Sequence, residues 1–108
     1  MITPKDIKEI IDMLPQDRNP RLGGSYSLYL RGITDTYRDI DIIVDSIIGI
    51  ELPFKKMELV HKKRLNPTLK YEYKGIEVDI IESLKPCEIK EYNPIMVFMR
   101  ENKSIVYF

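Results

Sequence analysis

The sequence has little of several residue types on which common classes of protein depend. Its 108 residues include one cysteine, one histidine and no tryptophan. The single cysteine, Cys87, excludes an internal disulfide framework and fits a reducing compartment. The single histidine, His61, excludes a metal centre built from several histidines of one chain.

An excess of charge and long apolar runs are also missing. Lys plus Arg and Asp plus Glu both number 17, so the formal net charge is zero. Domains built mainly to hold duplex nucleic acid are usually basic, so we expect no strong binding of duplex DNA. No apolar run approaches the roughly 20 residues that cross a bilayer, and charges interrupt the opening "MITPKDIKEI". We therefore expect one cytoplasmic domain without a membrane partner.

The first third of the chain predicts two helices. Residues 3–14 combine an N-cap threonine, a proline at the first helical position and an apolar stripe at helical spacing. A second helix is predicted over residues 25–32, with Ser25 as its N-cap.

The remainder predicts mostly β-structure. "DIDIIVD" is the strongest strand pattern, and "TLKYEYKGIEVDIIE" predicts a hairpin that turns at Lys74 and Gly75. "KKMELVHKKR" favours strand over helix, and the tail "IMVFMRENKSIVYF" predicts a second hairpin. The fold class is therefore α+β, with two N-terminal helices and a mostly β remainder.

Acidic residues inside the apolar strands are the main anomaly. Asp39 and Asp41 stand two residues apart, so they share one face of a strand, about 7 Å apart along the backbone. Glu77 and Asp79 repeat this pattern in a second apolar strand. If the two strands are neighbours, Asp39, Asp41 and Asp79 converge. Three carboxylates can hold two Mg²⁺ ions, the arrangement used for in-line phosphoryl transfer.

Gly23, Gly24 and Ser25 form a candidate phosphate site. Glycine lets the backbone approach a phosphate, and a helix that begins at Ser25 directs free N–H groups towards an anion. The Ser25 hydroxyl adds a hydrogen-bond donor. The same motif alone is also typical of an ordinary turn that caps a helix.

The order of these motifs resembles the nucleotidyltransferase superfamily, which has the DNA polymerase beta-like fold. "GGSYSL" followed by "YRDIDIIV" is most similar to the AbiEii-type and minimal nucleotidyltransferases. The resemblance covers a core of residues 1–83, within a single domain of residues 1–108. Residues 84–108 then form a short β-like extension, where many relatives carry a helical domain instead.

The resemblance implies a function and a set of site residues. It implies two helices packed on a mixed sheet, with Asp39, Asp41 and Asp79 as catalytic residues that bind two Mg²⁺ ions, or Mn²⁺ in their place. Gly24 and Ser25 would contact the triphosphate. The implied reaction transfers a nucleoside monophosphate from an NTP, with ATP expected, to a hydroxyl of a protein, an RNA or a small molecule.

Several alternatives remain open at this stage. Arg38 could contact phosphate or form a salt bridge that holds the acidic loop. Glu77 is favoured as a solvent-facing or lysine-paired residue over a fourth acid of the site. The basic run His61–Arg64 is favoured as a solvated edge strand over a phosphate or RNA contact. Asp45 is expected only to end its strand.

Two other functions compete with catalysis. The chain could be a non-catalytic subunit, antitoxin-like or regulatory, that keeps the fold and works by binding a partner chain. It could also be a plain α+β domain with an acidic face and no ligand. A separation of more than about 10 Å between Asp79 and the Asp39–Asp41 pair would favour this last hypothesis.

Overall fold

The computed structural model describes residues 1–57, 66–86, 88–92 and 95–98. Within these ranges the chain forms two α-helices, one 3-10 turn and one mixed sheet of seven strands. The helical elements are α1 (Pro4–Asp12), the 3-10 turn (Gln16–Arg18) and α2 (Gly24–Leu30). The strands are β1 (Arg21–Gly23), β2 (Ile40–Val44), β3 (Lys55–Lys56), β4 (Thr68–Tyr73), β5 (Ile76–Glu82), β6 (Ile89–Tyr92) and β7 (Ile95–Phe98). The predicted α+β class is confirmed.

Helix α1 begins where the sequence predicts. The Thr3 hydroxyl accepts the backbone N–H of Asp6, and the Asp6 carboxylate accepts the backbone N–H of Thr3, which completes a capping box. Three isoleucines of the predicted apolar stripe are buried. The helix ends at Asp12, two residues before the predicted end. The Gln16 amide donates to the backbone carbonyl of Ile11, in the last turn, and to that of Leu14, just after the helix.

The sheet has the strand order β3-β4-β5-β2-β1-β7-β6. Strands β2 and β5 are parallel neighbours, and so are β1 and β7, whereas the other adjacent pairs are antiparallel. Two parallel strands cannot be joined by a tight turn, so β2 and β5 are far apart in the sequence and become neighbours only when the sheet forms. In the described part of the chain, no helix combines the length and apolarity that crossing a membrane requires.

The hairpin of β4 and β5 follows the prediction. Its two turn residues, Lys74 and Gly75, have φ of 50° and 80°, the left-handed pair that a two-residue hairpin turn needs. The turn fixes the register, which places Tyr73 opposite Ile76 and Lys70 opposite Asp79.

The C-terminal segment joins the same sheet. Strand β7 lies beside β1 and pairs with β6, which precedes it in the chain. The second apolar run of the predicted tail hairpin, residues 105–108, lies outside the described residues. In the run that begins at Lys55, only residues 55–57 are described, and Lys55–Lys56 form the strand β3. The basic run at residues 61–64 also lies outside the described residues.

The main core lies between the helices and one face of the sheet. Leu22, Ile42 and Ile80 point to this face and pack with buried residues of α1 and with Tyr26 of α2. Because side chains alternate along a strand, the residues directly before and after each of these three point to the opposite face. That opposite face carries Asp41 and Asp79.

Candidate metal and nucleotide site

Four acidic residues lie together on the sheet face opposite the main core. Asp41 of β2 is the direct neighbour of Asp79 of β5 in the parallel register. Asp39 comes one residue before β2, and Glu77 lies two residues before Asp79, so each shares the face of its neighbour. We call these residues, Asp39, Asp41, Glu77 and Asp79, the carboxylate cluster.

Three members of the cluster are close enough to share a ligand. Asp39, Glu77 and Asp79 each offer a carboxylate oxygen, and these three oxygens lie within 4.8 Å of one another. Asp79 is fully buried, whereas Asp39 and Glu77 are half-buried. The structure therefore does not show the wide separation of Asp79 from Asp39 that would favour an acidic face without a ligand.

Burial and neighbouring acids change the protonation of Asp79. Removal from water, a hydrogen bond with Glu77 and the negative charge of Asp41 together raise the pKa of Asp79 to about 7. Pairing with Lys70 lowers the pKa of Asp79, but by less than these three effects raise it. Burial and neighbouring acids therefore favour the neutral form of Asp79, and acids perturbed in this way are common at functional sites.

Lys70 is a cation that contacts this cluster, and the sequence interpretation did not include it. Its Nζ donates to Glu77 and to both carboxylate oxygens of Asp79, at 3.1 and 3.2 Å for Asp79. Burial lowers the pKa of Lys70, but the pairing with Glu77 and Asp79 outweighs it, and the net shift is upward. For Glu77, the favoured pairing with a lysine is present, and the residue also lies within the acidic group.

Gly24 lies directly against the carboxylate of Asp41. Its φ is +65°, in the left-handed region, and a Cβ at this position would overlap the Asp41 side chain. Gly23 pairs with Asp41 across β1 and β2, and its own backbone is extended. From the sequence, these glycines were expected to let the backbone approach a phosphate. In the structure, the Asp41 carboxylate occupies the space that a side chain at Gly24 would need.

Ser25 is not the N-cap of α2, so that prediction was wrong. The helix begins one residue earlier, at Gly24, with Gly23 as the N-cap, and it ends at Leu30. The Ser25 hydroxyl instead accepts the backbone N–H of Arg38 at 3.1 Å. This bond ties the first turn of α2 to the segment that leads into Asp39. Arg38 is exposed, and among the described residues its guanidinium forms no ion pair, so the salt bridge considered above is not seen in that part of the chain.

The donor set fits a hard divalent cation. All four cluster members offer carboxylate oxygens, which Mg²⁺ and related ions prefer. The oxygens of Asp39, Glu77 and Asp79 lie up to 4.8 Å apart, close to the span of about 4–5 Å between opposite oxygens around such an ion. An ion here would be held by carboxylates from both β2 and β5, although Lys70 already engages two of them.

A second charged group lies beyond the other end of β2. The Arg21 guanidinium donates to Asp45, at 2.8 Å, and to the backbone carbonyls of Asn19 and Ser83. The Asn19 amide also donates to Asp45. We call these residues, Asn19, Arg21, Asp45 and Ser83, the arginine cluster. Hydrogen bonds from Arg21 and Asn19 lower the pKa of Asp45, so this carboxylate closes the end of its strand in a balanced contact.

Comparisons of the chain with models of protein families, with curated proteins and with solved structures find no match in any of the three.

Proposed function

We propose that this chain is a divalent-metal-dependent nucleotidyltransferase with a DNA polymerase beta-like fold. It would move a nucleoside monophosphate from an NTP, with ATP expected, to a hydroxyl of a protein, an RNA or a small molecule. The observation that carries the proposal is the pairing of Asp41 with Asp79 on parallel strands, beside Asp39. Acids are rare in buried strands, and a ligand cation explains why several share one face.

The proposal gives each site residue a separate role. Asp39, Asp41 and Asp79 would hold Mg²⁺ or Mn²⁺, and the bound metal would neutralise charge on the triphosphate and on the leaving pyrophosphate. Gly24 keeps the Asp41 carboxylate against the backbone of the first turn of α2. Ser25 accepts a bond from Arg38, so its own hydroxyl proton can be donated to a phosphate oxygen. The exposed guanidinium of Arg38 is a second candidate phosphate contact.

Asp41→Asn tests the proposal with little change in shape. Purified protein is incubated with Mg²⁺ or Mn²⁺, each NTP labelled on its α-phosphate, and total cellular RNA and protein as acceptors. We expect label transfer by the wild type and a loss of at least about 100-fold in the variant, because replacing a direct ligand should exceed the effect of a supporting residue. Asp12→Asn is the matched control, since Asp12 is exposed on α1 and pairs only with Lys8. Equal transfer by Asp41→Asn and by the wild type would contradict the proposal.

A second candidate function is supported by Lys70. Because its ammonium already pairs with Glu77 and Asp79, the acids are partly neutralised without a metal. A non-catalytic subunit, antitoxin-like or regulatory, could keep this arrangement and act by binding a partner chain. Calorimetric titration with Mg²⁺ and each NTP separates the two functions. A folded wild type that binds none of the nucleotides but co-purifies with a partner chain would favour the second.

A further inference from the structure

Lys70 has an unusually complete set of acidic partners. Its side chain is only 12% exposed, and its Nζ contacts one oxygen of Glu77 and both oxygens of Asp79. An ammonium has three donors, and these three acceptors can satisfy all of them. Both carboxylates lie in the group that could also hold a metal ion.

We propose that Lys70 is the resident counter-cation of the carboxylate cluster and that a divalent ion must displace its ammonium from Glu77 and Asp79 in order to bind. Lys70 is then a residue that sets metal affinity and keeps the affinity for free metal low. This inference rests on the proposed function, because it assumes that the cluster is a metal site.

Geometry and charge both support competition. An ion shared by Asp39, Glu77 and Asp79 would need carboxylate oxygens that now accept hydrogen bonds from Lys70. A dication and an ammonium a few ångströms apart in half-buried surroundings repel each other strongly, since water screens them poorly. The long, flexible lysine stem allows the ammonium to withdraw without a change in the backbone.

A purely structural role would give a different result. Buried ion pairs often add little net stability, because the loss of hydration offsets the attraction. If Lys70 only joined β4 to β5, its removal would weaken the fold equally with and without metal. If it is a counter-cation, a divalent ion can take over its charge, so added metal would restore the stability lost in its absence.

The test titrates Mn²⁺ alone, without nucleotide, into wild-type protein, Lys70→Met and Lys70→Gln. Calorimetry and thermal unfolding are carried out at about pH 8, above the pKa of Asp79, so that protons compete little. We expect Lys70→Met to bind Mn²⁺ at least about tenfold more tightly than the wild type, since a nearby positive charge is removed. We also expect a larger rise of its Tm with Mn²⁺. Lys70→Gln, which keeps a donor but loses the charge, should behave alike and serves if the methionine variant does not fold.

Lys55→Met is the matched control. Lys55 also pairs with a glutamate across neighbouring strands, Glu72, but in an exposed position at 3.8 Å. This variant should respond to Mn²⁺ as the wild type does.

The outcomes separate the inference from the proposed function. Tighter binding by the Lys70 variants supports the counter-cation role, even if the wild type binds no free metal at all. If the wild type binds Mn²⁺ and the Lys70 variants bind it no more tightly, the role of Lys70 is overturned while the metal site stands. If no variant and no wild-type protein binds Mn²⁺, the metal site itself is wrong, and the counter-cation role fails with it.

Discussion

Asp45 and Asp79 both accept hydrogen bonds from a neighbouring cation, yet their pKa values move in opposite directions. In the arginine cluster, Arg21 and the Asn19 amide face one carboxylate, and the pKa of Asp45 falls. In the carboxylate cluster, burial, Glu77 and Asp41 raise the pKa of Asp79 despite the contact with Lys70.

The difference lies in the burial of each carboxylate and in the acids that surround it. One guanidinium and one carboxylate neutralise each other, and the backbone carbonyls of Asn19 and Ser83 accept further hydrogen bonds from Arg21. Lys70 faces two carboxylates directly, with Asp39 and Asp41 next to them. A carboxylate held by an adjacent guanidinium stabilises the fold by itself, whereas a buried carboxylate among other acids is favoured further when a cation binds. Substitutions in and around each cluster test this contrast.

Loss of the arginine should produce the largest effect on stability. We expect Arg21→Met to lower the free energy of unfolding by about 3 kcal/mol, because it removes the cationic partner of Asp45 and the donor to two backbone carbonyls. Mn²⁺ should not restore this loss, in contrast to its effect on the Lys70 variants. Urea denaturation with and without Mn²⁺ measures both quantities.

A control for this experiment is Lys8→Met, which removes an exposed ion pair with Asp12. Such pairs contribute at most about 1 kcal/mol, so this variant should unfold almost as the wild type does. If Arg21→Met lost no more stability than Lys8→Met, or if Mn²⁺ restored it, the arginine cluster would not be a balanced structural contact.

Gly24→Ala should have an intermediate effect. We expect a loss of about 2 kcal/mol, from backbone strain at positive φ and from the overlap of the new Cβ with the Asp41 carboxylate. Because Asp41 must shift, Mn²⁺ affinity should also fall. Thermal unfolding and calorimetric titration report the two effects.

Gly49→Ala is the matched control, since Gly49 also has a positive φ, of 77°, but no atom lies within 4 Å of the position that a Cβ would take. It should lose only about 1 kcal/mol, the strain alone, and leave Mn²⁺ affinity unchanged. Equal effects of the two substitutions on metal affinity would show that the contact between Gly24 and Asp41 is not part of the site.

Features that depend on neighbouring residues were accessible from the sequence. The N-cap of α1 and the turn at Lys74 and Gly75 depend on such residues, and both were predicted. The turn also fixes which residues of β4 and β5 face each other. Counting outward from it places Lys70 opposite Asp79, so the cation of the site could have been identified from the predicted hairpin alone.

Features that depend on distant residues were not accessible in this way. Serine is a preferred N-cap, but the Ser25 hydroxyl is taken by the Arg38 N–H, 13 residues away, and the helix starts at Gly24 instead. The closeness of Gly24 to Asp41 depends on the antiparallel pairing of β1 and β2. The convergence of the acidic strands was stated only as a condition, because β2 and β5 are parallel and no local turn connects them.

The smallest expected effects are those of Asp79→Asn and Asp45→Asn, and these two variants compare the two carboxylates most directly. At about pH 8, Asp79→Asn should raise the free energy of unfolding by about 1 kcal/mol, because a group whose pKa is raised by folding opposes the folded state once it is ionised. Asp45→Asn should instead lower it by about 1 kcal/mol, through weaker hydrogen bonds to Arg21 and Asn19.

The pH dependence of these two variants shows whether each carboxylate stabilises or destabilises the folded protein. Between about pH 4 and pH 7 the unfolded chain has lost the Asp79 proton while the folded protein still holds it, so this residue makes wild-type stability fall as pH rises. The advantage of Asp79→Asn should therefore shrink as pH falls across that range. Asp45 has a lowered pKa, so its contribution persists there and is lost only in stronger acid. Urea denaturation in metal-free buffer at several pH values measures both trends. If Asp79→Asn destabilised the protein as Asp45→Asn does, the two clusters would share one structural role, and the burial of Asp79 among other acids would no longer indicate a ligand.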